Sequence, residues 1–319
     1  MRLLFITSTR IGDAVLSTGL LNHLLERHPA ARVTVACGPQ AAPLFAGLPN
    51  LERVIPMQKG RHALHWRRLW RAVWRIRWDM VVDLRGSALP WLLRAGERHL
   101  FRPAAEPVHR VRQLADLFDL AEPPMPRLWT SAEHDAEAAR LIPADRPVLA
   151  LGPTTNWRAK TWRAENFVAL AERLTGPDGI LPNARIAVFG APEERPAAEP
   201  VLDGLPGERL IDLVGRLDLL TAYACLERCA LYVGNDSALM HLAAAAGIPV
   251  VGLFGPSPEA NYAPWGWRAV VVRTPQSYAT IFPENFDHRA SDSLMDGLTV
   301  DAAEAGARRL WARVQEGRA

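Results

Sequence analysis

Lysine is nearly missing from this chain. Lys59 and Lys160 are its two lysines, and the other cations among 37 Lys and Arg are arginines. A chain that uses arginine wherever a positive charge suffices marks Lys160 as a place for a compact ammonium rather than a planar fork. Cysteine is scarce too: Cys37, Cys225 and Cys229 are too few for a disulfide framework and fit a reducing compartment. Cys225 and Cys229 stand four apart on an expected helix. They suit buried packing or a shared metal, and with no second ligand pair nearby packing is the reading taken. No apolar run approaches the roughly 18 residues that span a bilayer. The opening stretch MRLLFITSTRIGD turns polar too soon for a signal peptide, so a cytoplasmic protein is expected. Neither GxGxxG nor GxxxxGK[ST] occurs, which weakens dehydrogenase and P-loop readings. Internal repeats and low-complexity tracts are absent as well.

What is present is alternation. Apolar runs at Leu3–Thr7, Arg32–Ala36, Arg53–Pro56 and Asp79–Leu84 read as strands. Helices are expected over 13–28, 44–48, 63–77, 89–95 and 111–120. The proline-rich AEPPMPR, Ala121 to Arg127, reads as part of a linker. A short helix near 133–141 follows, and alternation resumes with strands near 148–152, 185–190, 210–213 and 231–234, helices at 164–174 and 219–229, and a final helix at 301–315. The expected architecture is α/β, two parallel-sheet domains of 1–145 and 146–319 with a cleft between them, the last helix being a candidate to return to the first domain.

Charge is unevenly spread. Between Arg53 and Arg112 lie thirteen Arg and one Lys against Asp79, Asp83, Glu97 and Glu106, a net of +10 that leaves −7 for the rest of a chain totalling +3. Such a segment suits a polyanion: nucleic acid, an anionic membrane surface or a phosphorylated substrate. It contains HWRRLWRAVWRIRW, where Trp66, Trp70, Trp74 and Trp78 recur every four residues and drift only about 40° per step on a helix. One reading is a packing face with arginines outward. The other is a helix lying on a membrane surface, with Arg61, Arg67, Arg68 and Arg71 as candidate membrane or acceptor contacts. Binding of single-stranded nucleic acid lacks any accompanying RNP, KH or helix-turn-helix pattern, and no nucleic-acid partner is expected.

Three places could carry chemistry. In TRIGDAVLSTG, Gly12 turns strand into helix and Asp13 stands at the helix start, either as an N-cap or as a general base for a hydroxyl. In LGPTTNWRAKTW, Thr154 and Thr155 put hydroxyls at a strand end, and Lys160 follows in a loop. Hydroxyls with an ammonium suit a diphosphate; the plain alternative is a polar loop. In LYVGNDSALMHLAAAAGIPVVGLFGPSP, strand, turn, helix and strand follow in order. Asp236 and Ser237 serve either as helix caps or as ligands to a sugar, and His241 lies one turn on, within reach of a phosphate at the helix N-terminus.

The stretches IGDAVLSTG, PTTNWRAKTW, FGAPEE and GNDSALMHLAAAAGIPVVGLFGPS, in that order, resemble the bacterial ADP-heptose:lipopolysaccharide heptosyltransferases, glycosyltransferase family nine, over most of the chain. The resemblance implies the GT-B fold: two Rossmann-like doubly wound domains with an interdomain cleft, the acceptor in the first and the nucleotide-sugar donor in the second. It implies inverting, metal-independent transfer from ADP-heptose to a lipopolysaccharide inner-core or lipid A precursor acceptor at the cytoplasmic face of the inner membrane, with no cofactor. By position, Asp13 matches the catalytic base. Thr154, Thr155 and Lys160 match donor phosphate and ribose contacts. Glu193 or Glu194 matches an acid near the adenosine ribose, and Asp236, Ser237 and His241 match the motif holding sugar and diphosphate. The sequence departs from the family at Ala238, where glycine is common, at Arg163, where proline is, and loosely from Pro275 to Leu298. Transferases of other sugars or onto protein acceptors, a sugar-nucleotide epimerase or hydrolase, and a non-catalytic sugar-nucleotide binder are the alternatives.

Overall fold

The structure is a computed structural model describing residues 1–58, 60, 64–104, 106–282, 286–287 and 292–317. The chain divides into two compact units, Met1–Ser131 and Ala132–Ala319. Among the described residues the first unit runs β1 (Arg2–Ile6), α1 (Ile11–Arg27), β2 (Arg32–Cys37), β3 (Leu51–Pro56), α2 (Leu64–Val73), β4 (Arg77–Asp83), β5 (Arg94–Leu100) and α3 (Arg110–Ala115). Its sheet is parallel, in the order β3-β2-β1-β4-β5. β1 lies at the centre because Leu3, Leu4, Phe5 and Ile6 are all apolar and fully buried, as a strand covered on both faces requires. Leu16, Leu20, Leu21, Leu24 and Leu25 of α1 are buried.

Two expectations change in this unit. The stretch 89–95 was expected as a helix, yet only a short 3₁₀ turn forms at Leu89–Leu92, and β5 follows. The signal was hidden because β5 is an edge strand. Its RAGERHL sequence leaves much of its side-chain surface exposed, and Arg98 donates to the Pro90 and Leu93 carbonyls. The proline-rich stretch is not a free linker. At Gly19 a Cβ would stand 2.4 Å from the Pro124 carbonyl oxygen, so α1 needs glycine there for the strap to lie against it. The Arg127 amide donates to Thr18 Oγ1 at 3.0 Å.

The second unit contains α4 (Ala132–Leu141), β6 (Val148–Gly152), α5 (Ala164–Thr175), β7 (Arg185–Val188), α6 (Arg195–Gly204), β8 (Leu210–Asp212), α7 (Leu219–Glu227), β9 (Leu231–Asn235), α8 (Ala238–Ala245), β10 (Val250–Phe254), α9 (Glu259–Tyr262), β11 (Ala269–Arg273) and α10 (Val300–Glu316). Its parallel sheet has the order β11-β10-β9-β6-β7-β8. The division between units falls ahead of the position expected near 145, because α4 packs on α7. The last helix, α10, packs on α5, β10 and β11 of its own unit, where Gly306 lets it close on Val272. The helix α6, α9 and β11 were not foreseen; Pro196 and Pro200 disguise α6. Cys225 and Cys229 are buried packing residues. Burial pushes the Cys225 thiol up to about 12 and that of Cys229 further, and Cys229 Sγ donates to the Cys225 carbonyl.

Both strand orders reverse direction once. In the first sheet the chain builds outward from β1 to β3, then restarts at β4 on the other side. In the second it builds from β6 to β8, then restarts at β9. The switch points lie between β1 and β4 and between β6 and β9, where loops after adjacent strands of such a topology leave toward opposite faces at the carboxyl edge. Ligands of open α/β sheets bind at such switch points. Asp13 follows β1, Thr154 to Lys160 follow β6, and Asp236 to Ser237 follow β9.

Candidate functional site

At the first switch point α1 begins at Ile11 with Arg10 as N-cap, so Asp13 is the third helical residue and not the cap. The capping explanation for this carboxylate therefore lapses. Asp13 is half-buried, and Ser8 Oγ donates to its Oδ2 across a long 3.4 Å. It keeps most of its accepting capacity, with the positive end of the helix beside it. The neighbouring strand end carries Asp83, which sequence reasoning passed over. Its side chain is fully buried and accepts from the amides of Arg85 and Ser87 at 2.8 and 2.9 Å and from the Ser87 hydroxyl. This is a turn-holding carboxylate whose charge is met by three donors.

The second switch point gathers more. Lys160 Nζ donates to Asp236 Oδ2 at 2.5 Å, with the lysine side chain 22% and the aspartate 8% exposed. The ammonium also lies 5.8 Å from the centre of the Trp157 ring. Asp236 is thus an ion-pair partner and not a helix cap. Ser237 is the N-cap of α8 by backbone geometry, yet its hydroxyl makes no capping bond. His241 is buried on α8, 5% exposed. Ala238 opens α8 with helical backbone and is not among the residues of positive φ. The methyl that replaces the expected glycine hydrogen costs the loop no backbone strain.

Thr154 and Glu194 meet as well: Thr154 Oγ1 donates to Glu194 Oε2 at 2.9 Å, and the Ala191 amide donates to the same oxygen at 2.9 Å. Glu193, the other acidic candidate, is exposed. Thr155 turns inward on its own loop, its hydroxyl donating to the Trp157 carbonyl at 2.7 Å and accepting from the Trp157 amide at 3.1 Å. Its service is to shape the loop that presents Lys160.

Several residues that hold this loop carried no role in the sequence reading. Asn235 is fully buried; it accepts from the Trp162 amide at 3.0 Å and donates to the Pro153 carbonyl at 2.8 Å, tying the β6 loop to the end of β9. Trp162 donates to the Leu298 carbonyl at 2.7 Å, and Ser293 to the Thr161 carbonyl at 2.7 Å. Arg163, found where the family favours proline, forms paired bonds to Asp292 and Asp296. These contacts hold Asp296 below the usual carboxylate range. Within the loosely matching tail, residues 292–298 lie over the Lys160 loop, and Arg163 is their latch.

The arginine-rich helix matches neither sequence reading in full. Leu69 and Val73 are the side chains of α2 that reach the core, and Trp66 packs against it only in part. Trp78 is fully buried but belongs to β4, where its Nε1 donates to the Val73 carbonyl. Trp70 and Trp74 face outward and stack with ring centres 5.5 Å apart. Arg67, Arg68 and Arg71 are exposed, while Arg61 lies outside the described residues. The nearby 3₁₀ turn adds Trp91 and Leu92, 67% and 66% exposed. No helix among the described residues is long and apolar enough to cross a membrane.

Two Rossmann-type parallel sheets in one chain define a GT-B protein, and a cation, carboxylates and hydroxyls at the second switch point suit a nucleotide sugar. Solved structures agree on the fold. A glycosyltransferase family 9 protein from Veillonella parvula matches with TM-score 0.77 at 20% identity, over 98% of this chain and 97% of the other. The E. coli ADP-heptose lps heptosyltransferase II matches with TM-score 0.72 at 23% identity, over 99% and 100%. Lipopolysaccharide heptosyltransferase 2 of Salmonella typhimurium is 26% identical, covering 93% of this chain and 94% of its own. Lipooligosaccharide heptosyltransferase 2 of Haemophilus influenzae is 24% identical over 86% and 88%. The family model of glycosyltransferase family 9 (heptosyltransferase) matches residues 85–284, and the chain belongs to that family: it is a glycosyltransferase.

Proposed function

We propose that the enzyme is an inverting, metal-independent heptosyltransferase that moves heptose from ADP-heptose to a lipopolysaccharide inner-core acceptor. The observation that carries this reading is the grouping of Lys160, Asp236 and Ser237 at the switch point of the second sheet, in a chain whose relatives are heptosyltransferases. Asp13 takes the proton of an acceptor hydroxyl, which attacks the anomeric carbon; the bond from that carbon to the diphosphate breaks and ADP leaves. Lys160, His241 and the first amides of α8 meet the charge that develops on the diphosphate. Asp236 binds sugar hydroxyls, and Glu194 with Thr154 takes the ribose side. Incubation with ADP-heptose and a set of truncated lipopolysaccharide cores is expected to add one heptose to inner-core acceptors, read by mass spectrometry. Transfer from a uridine or guanosine sugar, with none from ADP-heptose, overturns the donor assignment.

The acceptor is membrane-bound in this reading, and the enzyme works peripherally on the cytoplasmic face of the inner membrane. The outward Trp70–Trp74 stack among exposed arginines supports it, since Trp and Arg suit the headgroup region. Each surface cation contributes about 1 kcal/mol toward an anionic membrane. Replacing Arg67 and Arg71 together by alanine is therefore expected to weaken retention on anionic vesicles roughly thirtyfold at low salt. Equal retention on neutral and anionic vesicles by the wild type removes the membrane assignment.

A further inference from the structure

Beneath the donor-site cluster lies a tyrosine that neither the resemblance nor the mechanism employs. Tyr232 is on β9, fully buried, and its ring runs along the sheet toward the carboxyl edge. Two glycines make room for it. A Cβ at Gly152 would stand 2.0 Å from the phenolic oxygen, and one at Gly234 would stand 2.3 Å from it. These glycines are register partners on the adjacent strands β6 and β9, so the slot lies on the seam where the sheet's direction reverses. A buried hydroxyl lodged in backbone space at a switch point calls for a use, because burying it unpaired is costly.

The phenolic oxygen has no completed hydrogen bond, and the same is true of the buried Ser237 hydroxyl. A side-chain contact from Ser237 draws the phenol back toward its ordinary value, against burial and the charges of Glu194 and Asp236. Burial and the two carboxylates push the phenol well above its ordinary value, so it stays protonated and can donate. A serine hydroxyl has one hydrogen to give and two lone pairs to receive with. Ser237 makes no cap to its own helix, and its hydrogen is free to be directed.

We propose that Tyr232 is a positioning residue of the donor site: its phenol donates to the Ser237 hydroxyl, which fixes the serine hydrogen toward an anionic oxygen of the nucleotide diphosphate at the start of α8. This rests on the donor-site reading above and adds to it a second hydroxyl that never touches the ligand. The pair works as a short relay in which each hydroxyl polarises the next. Gly152 and Gly234 belong to the same device, because a side chain at either position evicts the phenol.

The probe is ADP alone, titrated calorimetrically into wild type, Tyr232→Phe, Ser237→Ala and the double variant, with melting temperatures taken alongside. Tyr232→Phe keeps the ring and is expected to weaken ADP about fivefold, the effect of one neutral hydrogen bond. Ser237→Ala weakens it at least as much, and the double variant equals Ser237→Ala, since the phenol acts only through the serine. If Tyr232→Phe lowers the melting temperature while ADP binds as to wild type, or if the two losses multiply in the double variant, the proposal is wrong and the donor site stands. If wild type itself binds no ADP, the donor-site reading falls, and this proposal with it. Should the phenylalanine variant prove poorly folded, the serine series decides: Ser237→Thr, which keeps the accepting oxygen, is expected to bind ADP near wild type, and Ser237→Ala binding ADP as tightly as Ser237→Thr overturns the proposal.

Discussion

Asp13→Asn is expected to bind ADP as wild type does and to transfer heptose about a thousand times more slowly. The figure lies within the range for losing a general base, about 10² to 10⁴ in rate, or roughly 3 to 5 kcal/mol of barrier. The competing explanation of Asp13 is that it merely complements the dipole of α1, as an acid in the first turn does. That role is worth about 0.3 to 1 kcal/mol of stability and has no bearing on rate. The two explanations separate cleanly, because the long Ser8 contact contributes little to either. A dipole role predicts a small drop in melting temperature with full turnover. A base predicts the reverse weighting, and Asp13→Glu sharpens the test. It keeps charge and acidity but moves the carboxylate by about one bond length, and a misplacement of about 1 Å already costs on the order of 100-fold. Turnover of Asp13→Asn at the wild-type rate ends the assignment.

How much of this was legible beforehand depends on what each residue answers to. The alternation of apolar runs outlined the two sheets, because buried parallel strands such as β10, and β1 from Leu3 to Ile6, must be apolar. It failed at β5, an edge strand whose RAGERHL sequence is largely polar, and β11 was passed over although AVVVR is an apolar run. Lys160 stood out by composition, since a chain with 35 arginines had kept an ammonium there. Its partner Asp236 was found but assigned only to capping or sugar binding, because an ion pair across 76 positions leaves no local trace. The latch of Arg163 on Asp292 and Asp296 was illegible for the same reason. Tyr232 was hidden differently: in sequence it is one aromatic residue in an apolar strand, and only the glycine slot distinguishes it from core.

Lys160→Met is expected to lower turnover about 100-fold and to raise the donor KM by at least tenfold. The first follows from removing one preorganised cation from a developing charge, the second from losing a charge-assisted bond to phosphate. The same change does something else. It leaves Asp236, 7% exposed, as a carboxylate without its cation. Stranding one partner of such a pair costs up to about 3 kcal/mol, so a fall in stability is expected alongside the fall in rate. A loss of activity in this variant alone would therefore not tell catalysis from unfolding. Lys160→Met combined with Asp236→Asn resolves it, since the amide carries no charge to strand and stability returns. If Lys160 serves the diphosphate, the double variant melts near wild type and turns over at least 100-fold more slowly than Asp236→Asn alone. If Lys160 exists to neutralise Asp236, the double variant turns over as Asp236→Asn does. Lys160→Arg sits between these outcomes: it keeps the charge, but a planar fork replaces a compact ammonium against Trp157 and Asp236. Melting near wild type with donor KM raised several-fold is the expected result, and an unchanged KM would show that the near-exclusion of lysine elsewhere in the chain had no bearing on this position.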